Sequence, residues 1–140
     1  MKKFILLLFF VSIISLFLSS FLYLNYTSSF KKITYSAFVT FSEEVNGFDV
    51  NSTALTFGSI VPLGSSRRQV SVKNPYPFPI IVNSEFSGSI TPFLIDIEPT
   101  IILPFNETSI PVTVFMDINK NFSFGEYSGN VTFILKRLIN

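Results

Sequence analysis

Hydrophobic positions follow two different rules along this chain, and the change comes near residue 30. From 4 to 24 no residue is charged, and 16 of the 21 are Leu, Ile, Phe or Val; the rest are Ser12, Ser15, Ser19, Ser20 and Tyr23. A helix of that length measures roughly 31 Å, against a hydrocarbon core of about 30 Å. The pattern predicts a transmembrane helix over 4–24, after a short basic start at 1–3. A core helix of a soluble protein would be amphipathic, whereas this segment is apolar all round. Tyr23 and Tyr26 fall where an interfacial aromatic belt belongs.

A cleaved secretory signal also begins with a short basic segment. Its apolar region usually stops after about 7–15 residues, at a small-residue site. Here the run is longer and holds no Ala, and the one tolerable site is Thr27-Ser28-Ser29. The expectation is therefore an uncleaved signal anchor, with cleavage as the competitor. Lys2 and Lys3 precede the span and Lys31 and Lys32 follow it at a distance. The positive-inside rule then places the N-terminus in the cytoplasm, by a small margin, and the rest of the chain outside it, at the cell surface. Ser12, Ser15 and Ser19 share one helix face, a spacing that permits close helix approach, although Ser can equally satisfy itself on its own backbone.

After a juxtamembrane linker at 25–32 the period becomes two. Ile33, Tyr35, Ala37, Val39 and Phe41 alternate with Thr34, Ser36, Phe38 and Thr40, the mark of a half-buried strand. A turn is expected at 43–47. Further extended segments are predicted over 54–57, 59–63, 67–73, 79–86, 93–98, 109–116 and 126–137. Inward faces are predicted for Arg68, Val70 and Val72; for Ile110, Val112, Val114 and Met116; and for Tyr127, Val131, Phe133 and Leu135. Pro111 lies inside a predicted strand, so that strand belongs at an edge or carries a bulge. About seven short strands with frequent turns and no amphipathic helix predict one all-β domain over 33–140, a two-sheet sandwich of immunoglobulin-like dimensions.

Composition narrows the function classes. Only 14% of the residues are charged, against about 25% in typical chains. The net charge is +1, but all nine acids lie beyond residue 33, which leaves that part net acidic. A mildly acidic domain without a basic stripe argues against nucleic-acid binding. The chain has no Cys and no His, which removes disulfides, thiolate metal sites and any hydrolytic triad. The 18 Phe exceed what a sandwich of this size can bury. An exposed apolar patch is expected, of the kind that packs against a protein partner or a membrane.

Candidate chemistry is sparse. Asp96 and Glu98 share a face on a predicted strand and Glu43 and Glu44 adjoin in a turn, but a domain this small offers little cleft for paired carboxylates. Asp117, Asn119 and Asn121 begin like a calcium loop, yet Phe122 replaces the turn glycine and Ser128 the final acid, so a plain turn is the better expectation. No catalytic residue, metal site, cofactor or small-molecule substrate is expected. Asn25, Asn51, Asn106, Asn121 and Asn130 each open an Asn-x-Ser/Thr sequon, an acceptor pattern for glycosylation in an exported protein. Asn130 has the parity of the solvent face. In 74–79, alternating prolines stiffen a loop bearing Tyr76 and Phe78. They are either anchors of an interaction loop or aromatics folded back on the core, with a cis bond before Pro77 or Pro79 as an option.

The stretch from Leu55-Thr56-Phe57-Gly58-Ser59-Ile60 through Gly64 to Val70-Ser71-Val72-Lys73-Asn74, with Gly125-Glu126-Tyr127-Ser128-Gly129-Asn130-Val131 near the end, resembles immunoglobulin-like domains of the ASPM–SPD-2–Hydin and major-sperm-protein type. The resemblance covers about 52–137. It implies turns at Gly58 and Gly64, a bulge or kink at Gly129, and a binding or spacer module rather than an enzyme. The layout of one membrane helix before a β-sandwich also resembles archaeal surface-filament components, such as the archaellum stator subunit that binds the S-layer. That likeness implies the alternative role of a filament or secretion-assembly subunit, although no pilin-type processing site precedes Phe4. The expected partners are membrane lipid through 4–24 and a protein at the cell surface.

Overall fold

A computed structural model describes residues 2–43, 54–120 and 123–138, those of 2 and 24–30 in backbone only. One helix, α1 (Lys2–Ser28), precedes seven strands: β1 (Ser29–Phe41), β2 (Ala54–Ile60), β3 (Ser65–Lys73), β4 (Ile80–Gly88), β5 (Thr100–Ile102), β6 (Glu107–Phe115) and β7 (Gly125–Arg137). The span Lys3–Tyr23 is long and apolar enough to cross a membrane. Its side chains from Lys3 to Tyr23 are exposed, so the β-domain covers none of them. The expected linker at 25–32 is absent: the helix continues to Ser28 and β1 starts at the next residue. The reason lies in β1 itself, whose pairing with β7 reaches back to Ser29↔Lys136 and so draws the would-be linker into the sheet.

The strands form a five-stranded sheet, ordered β2-β1-β7-β4-β5, and a two-stranded sheet, β3-β6. Together they make a half-barrel around a single apolar core. β1 and β7 pair antiparallel along almost their whole length, and β4 pairs with the other edge of β7. The expected alternation holds. Ala37, Val39 and Phe41 of β1, Val131, Phe133 and Leu135 of β7, and Val70, Val72, Ile110, Val112 and Val114 of the smaller sheet are all buried, and Met116 just past β6 joins them. Arg68 shares the inner parity of β3 but is half-buried, and its Nε donates to the Thr56 carbonyl of β2 at 2.7 Å. That bond ties the two sheets where their edges meet. Ile134 departs from the alternation, being buried on the outer face of β7.

Three expectations about the strands need correction. The pieces at 54–57 and 59–63 are one strand, β2, which stops at Ile60 and leaves 61–63 to the turn; it runs parallel to β1, with a register shift opposite Phe38 to Thr40. Gly58, at φ 74°, sits in that bulge and makes no turn. The following turn places its left-handed residue on Leu63 (φ 62°), and it is tied to the end of β6 by Leu63 N–H donating to the Met116 carbonyl and Met116 N–H to that of Gly64. The predicted strand at 93–98 is a 3-10 turn, Thr91–Phe93, then irregular chain; the strand lies further on, at β5. Pro92 starts the turn and Pro99 lacks a donor, so this stretch cannot run as a ladder. It keeps one bridge, Leu94↔Val114. β6 thus has β3 on one side and only that bridge on the other, where Pro111 is tolerated as an edge residue.

Gly129 makes neither bulge nor kink. It faces Gly88 across the β4–β7 ladder, and a Cβ built on it would lie 2.0 Å from the Ser87 carbonyl oxygen and 2.7 Å from Ile90. Gly129 is thus what lets β4 approach the centre of the sheet. Gly129→Ala should destabilise the domain by about 1–3 kcal/mol, an overpacking cost. Chemical denaturation of the full chain in detergent, followed by circular dichroism, would measure it, and an unchanged midpoint would contradict this packing.

Candidate functional site

Chain direction sorts the domain into two ends. β1 leaves the helix at Ser29 and rises to Phe41; β7 descends from Gly125 to Arg137; β4 starts opposite Arg137; β3 descends to Lys73, opposite Glu107. The helix-side end therefore gathers the start of β1, the end of β7, the 74–79 loop and the β5–β6 turn. The far end carries the β2–β3 and β6–β7 turns.

At the helix-side end one side chain organises both loops. Asn74 is 0% exposed. Its Nδ2 lies 2.9 Å from the Phe78 carbonyl, 3.1 Å from that of Ile102 and 3.0 Å from that of Leu103. Its Oδ1 accepts from the Tyr76 N–H at 3.0 Å, and its own N–H donates to the Asn106 carbonyl at 2.8 Å. A carboxamide has two N–H bonds for three carbonyls, so at least one is shared. Asn74 thus folds the Pro-rich loop and clamps it to the β5–β6 turn. The alternating prolines marked a stiff loop, but the sequence did not reveal that one buried amide holds two loops.

The clamp decides the fate of Tyr76 and Phe78. Both rings are half-buried against the core and stack on each other at 5.3 Å, with Arg137 lying over Phe78 at 4.6 Å. All described peptide bonds are trans. Among the described residues of the β5–β6 turn, Leu103 (59%) and Phe105 (66%) are exposed apolar residues, next to the exposed Ile101 of β5. Phe105 has a left-handed backbone, φ 56°, which holds the aromatic at the tip of the turn. Sequence reasoning missed both; the available signal was Leu103-Pro104-Phe105-Asn106, a turn sequence flanked by apolar rather than polar residues.

The other predicted positions are scattered. Asp96 and Glu98 are exposed in irregular chain, not on a strand face, because the ladder they needed is broken there. Glu43 is exposed at the end of β1, and Glu44 lies outside the described residues. Asp117 Oδ1 accepts the Asn119 N–H at 2.9 Å, and the Lys120 N–H reaches the Asp117 carbonyl at 3.2 Å, so the Asp117 carboxylate closes a turn. Asn121 lies outside the described residues, as do Asn51 and the Asn25 side chain. Asn106 and Asn130 are both exposed, the first in the β5–β6 turn and the second on the outer face of β7.

A groove of 520 Å³ lies on the outer face of the large sheet where the Gly58 bulge opens it; Phe38, Thr40, Ser59, Glu126 and Ser128 are among its lining residues. One carboxylate among hydroxyls and an aromatic can hydrogen-bond a ligand but gives no acid–base pair. Comparison of the chain with protein-family models, with curated proteins and with solved structures found no match. The geometry is thus the whole ground for a functional reading. Asn74→Ala should leave several carbonyls without their donor and cost about 2–4 kcal/mol, and exchange of the amides at 74–79 and 103–106 should accelerate together. Hydrogen exchange read peptide by peptide would show it; acceleration confined to one loop would refute the shared clamp.

Proposed function

We propose that this chain is a non-catalytic, membrane-anchored module whose β-domain stands outside the cytoplasm and serves as a structural or protein-binding element at the cell surface. One observation carries the reading: an apolar helix of membrane-spanning length, uncovered by the domain, passes without a linker into the longest strand pair of the sheet. A helix of that kind needs lipid around it, since nothing else in the fold shields it. The exposed sequon at Asn130, on the outer face as its parity required, suits an exported domain.

The domain itself is best read as immunoglobulin-like. Supporting this, Tyr127 stands near the start of the last strand, and its OH donates to the Ser123 carbonyl at 2.8 Å and accepts the Ser123 N–H at 3.0 Å. A tyrosine tied back to the backbone just upstream of its strand resembles the tyrosine corner of immunoglobulin-like sandwiches, which lies on the strand before the last. Its ring packs on Phe41 and Phe93, so the corner is also part of the core. Tyr127 is also the tyrosine of the Gly125-Glu126-Tyr127-Ser128-Gly129 stretch on which the family resemblance rests.

The test is made on the protein in its native membranes. The chain should resist alkaline extraction, keep its first 28 residues by mass spectrometry, and lose its β-domain to protease added from outside the cell. A mature N-terminus at or beyond Ser28 would make the helix a cleaved signal, and a protected domain would reverse the orientation. Cross-linking in the same membranes would then identify what the exposed surfaces touch.

A further inference from the structure

We propose that the helix-side end of the β-domain is a lipid-docking surface: Leu103 and Phe105 enter the interface of the leaflet from which α1 emerges, and flanking basic residues hold its anionic headgroups. This rests on the anchored reading above, but not on which side of the membrane the domain lies.

The argument begins with length. α1 has 27 residues, about 40 Å of helix, whereas a hydrocarbon core takes about 30 Å. The excess lies in the headgroup layer, and β1 starts with no intervening residue. The end of the domain that holds Ser29 is therefore at the lipid surface by covalent necessity. Whatever else shares that end is brought to the same surface by the register of the strands. Ser29 pairs with Lys136, the next residue, Arg137, pairs with Ile80, and Ile80 pairs with Ile102, next to Leu103.

Two features of this end match an interface. The turn after β5 presents Leu103 and Phe105 outward, and the buried Asn74 holds the turn rigidly from behind. Ordering a fixed aromatic at an interface loses little entropy, and interfacial binding scales with buried apolar area. Around the turn stand Lys31, Lys32, Lys73 and Arg137, all exposed. The chain has few charged groups, yet half of the basic residues beyond α1 are these four. Of the described acids, Glu107 lies at this end, where it takes a hydrogen bond from Ser71 and faces Lys73 across the ladder, and the exposed Glu98, two residues before β5, stands at about the height of Lys32. Glu43, Asp117 and Glu126 lie at the other end. The helix side thus holds more cations than anions, a balance that an anionic leaflet favours.

Docking also bears on Asn106. Its sequon sits in the same turn as Phe105, and a glycan there would prop the end away from lipid. The proposal requires Asn106 to stay bare, whatever happens at Asn130.

The chain has no Trp, so single substitutions give unique reporters. Full-length protein carrying Leu103→Trp, Ile118→Trp or Leu8→Trp is reconstituted in vesicles of phosphatidylcholine and phosphatidylglycerol containing a lipid with a nitroxide near the top of the acyl chain, or one with it near the chain end. Leu103→Trp should be quenched by the shallow nitroxide and Ile118→Trp, at the far end, should not; Leu8→Trp should respond to the acyl-chain nitroxides as an embedded control. Adding Lys73→Gln and Arg137→Gln should weaken docking by roughly five-fold for each residue removed, as should replacing the anionic lipid.

Quenching of Leu8→Trp without Leu103→Trp would overturn the docking and leave the anchor standing. Failure of both would sink the anchor and the docking with it. Blue-shifted but unquenched emission from Leu103→Trp would mean that protein, not lipid, covers this end. Quenching indifferent to the basic residues would overturn the assignment to anionic headgroups, and a glycan on Asn106 of the native protein would overturn the docking itself.

Discussion

The β1–β7 ladder begins where the apolar helix ends, and most of the molecule follows from that constraint. Backbone groups leaving the helix need partners, because burying them unpaired costs free energy comparable to a lost hydrogen bond. They find them at once in β7, across 13-residue strands. Since β7 also pairs with β4, and β4 with β5, the position of the helix end is transmitted along four hydrogen-bonded strands. A flexible linker would have decoupled the domain from the helix. Pairing up to Ser29 determines which end of the domain is nearest the helix.

Burial then follows parity. Residues of odd number in β1 and β7 and of even number in β3 and β6 fill one core between the sheets. The aromatic group of Phe41, Phe93 and Tyr127 closes the core toward the far end, and Tyr76 and Phe78 line it toward the helix side. Small residues matter where strands crowd, as at Gly88 and Gly129, and polar ones where loops must be held without a ladder. Asn74 is the only buried polar side chain among the described residues, and it serves several backbone groups rather than a ligand. A buried amide is tolerated only when its hydrogen bonds are made, and here making them is what joins the two loops.

The two ends consequently differ in character. The helix side has a rigid apolar tip among cations, while the far side has turns closed by local polar bonds such as those of Asp117 and Tyr127. The outer-face groove at the β2 bulge belongs to neither and is shaped by a backbone irregularity. None of these surfaces brings paired carboxylates together.

Local sequence determined what depends on neighbours in the chain. The helix was legible because 21 uncharged, mostly apolar residues in a row are long enough to cross a membrane as a helix. The inward faces of β1, β3, β6 and β7 were legible because a strand repeats every two residues. The exposure of Asn130 followed from the same parity, and the edge position of Pro111 from its missing donor. What escaped depended on partners distant in sequence. The bulge at Gly58 is set by pairing with β1, the loss of a linker by pairing with β7, and the short strand at Thr100–Ile102 by the reach of β4 rather than by its own pattern. The inward turn of Tyr76 and Phe78 was left open by the prolines and decided by Asn74, which bonds to carbonyls nearly thirty residues away. Periodicity reports which side of an element is buried; only the assembled structure decides which elements meet, because cross-chain hydrogen bonds depend on register and leave no local mark.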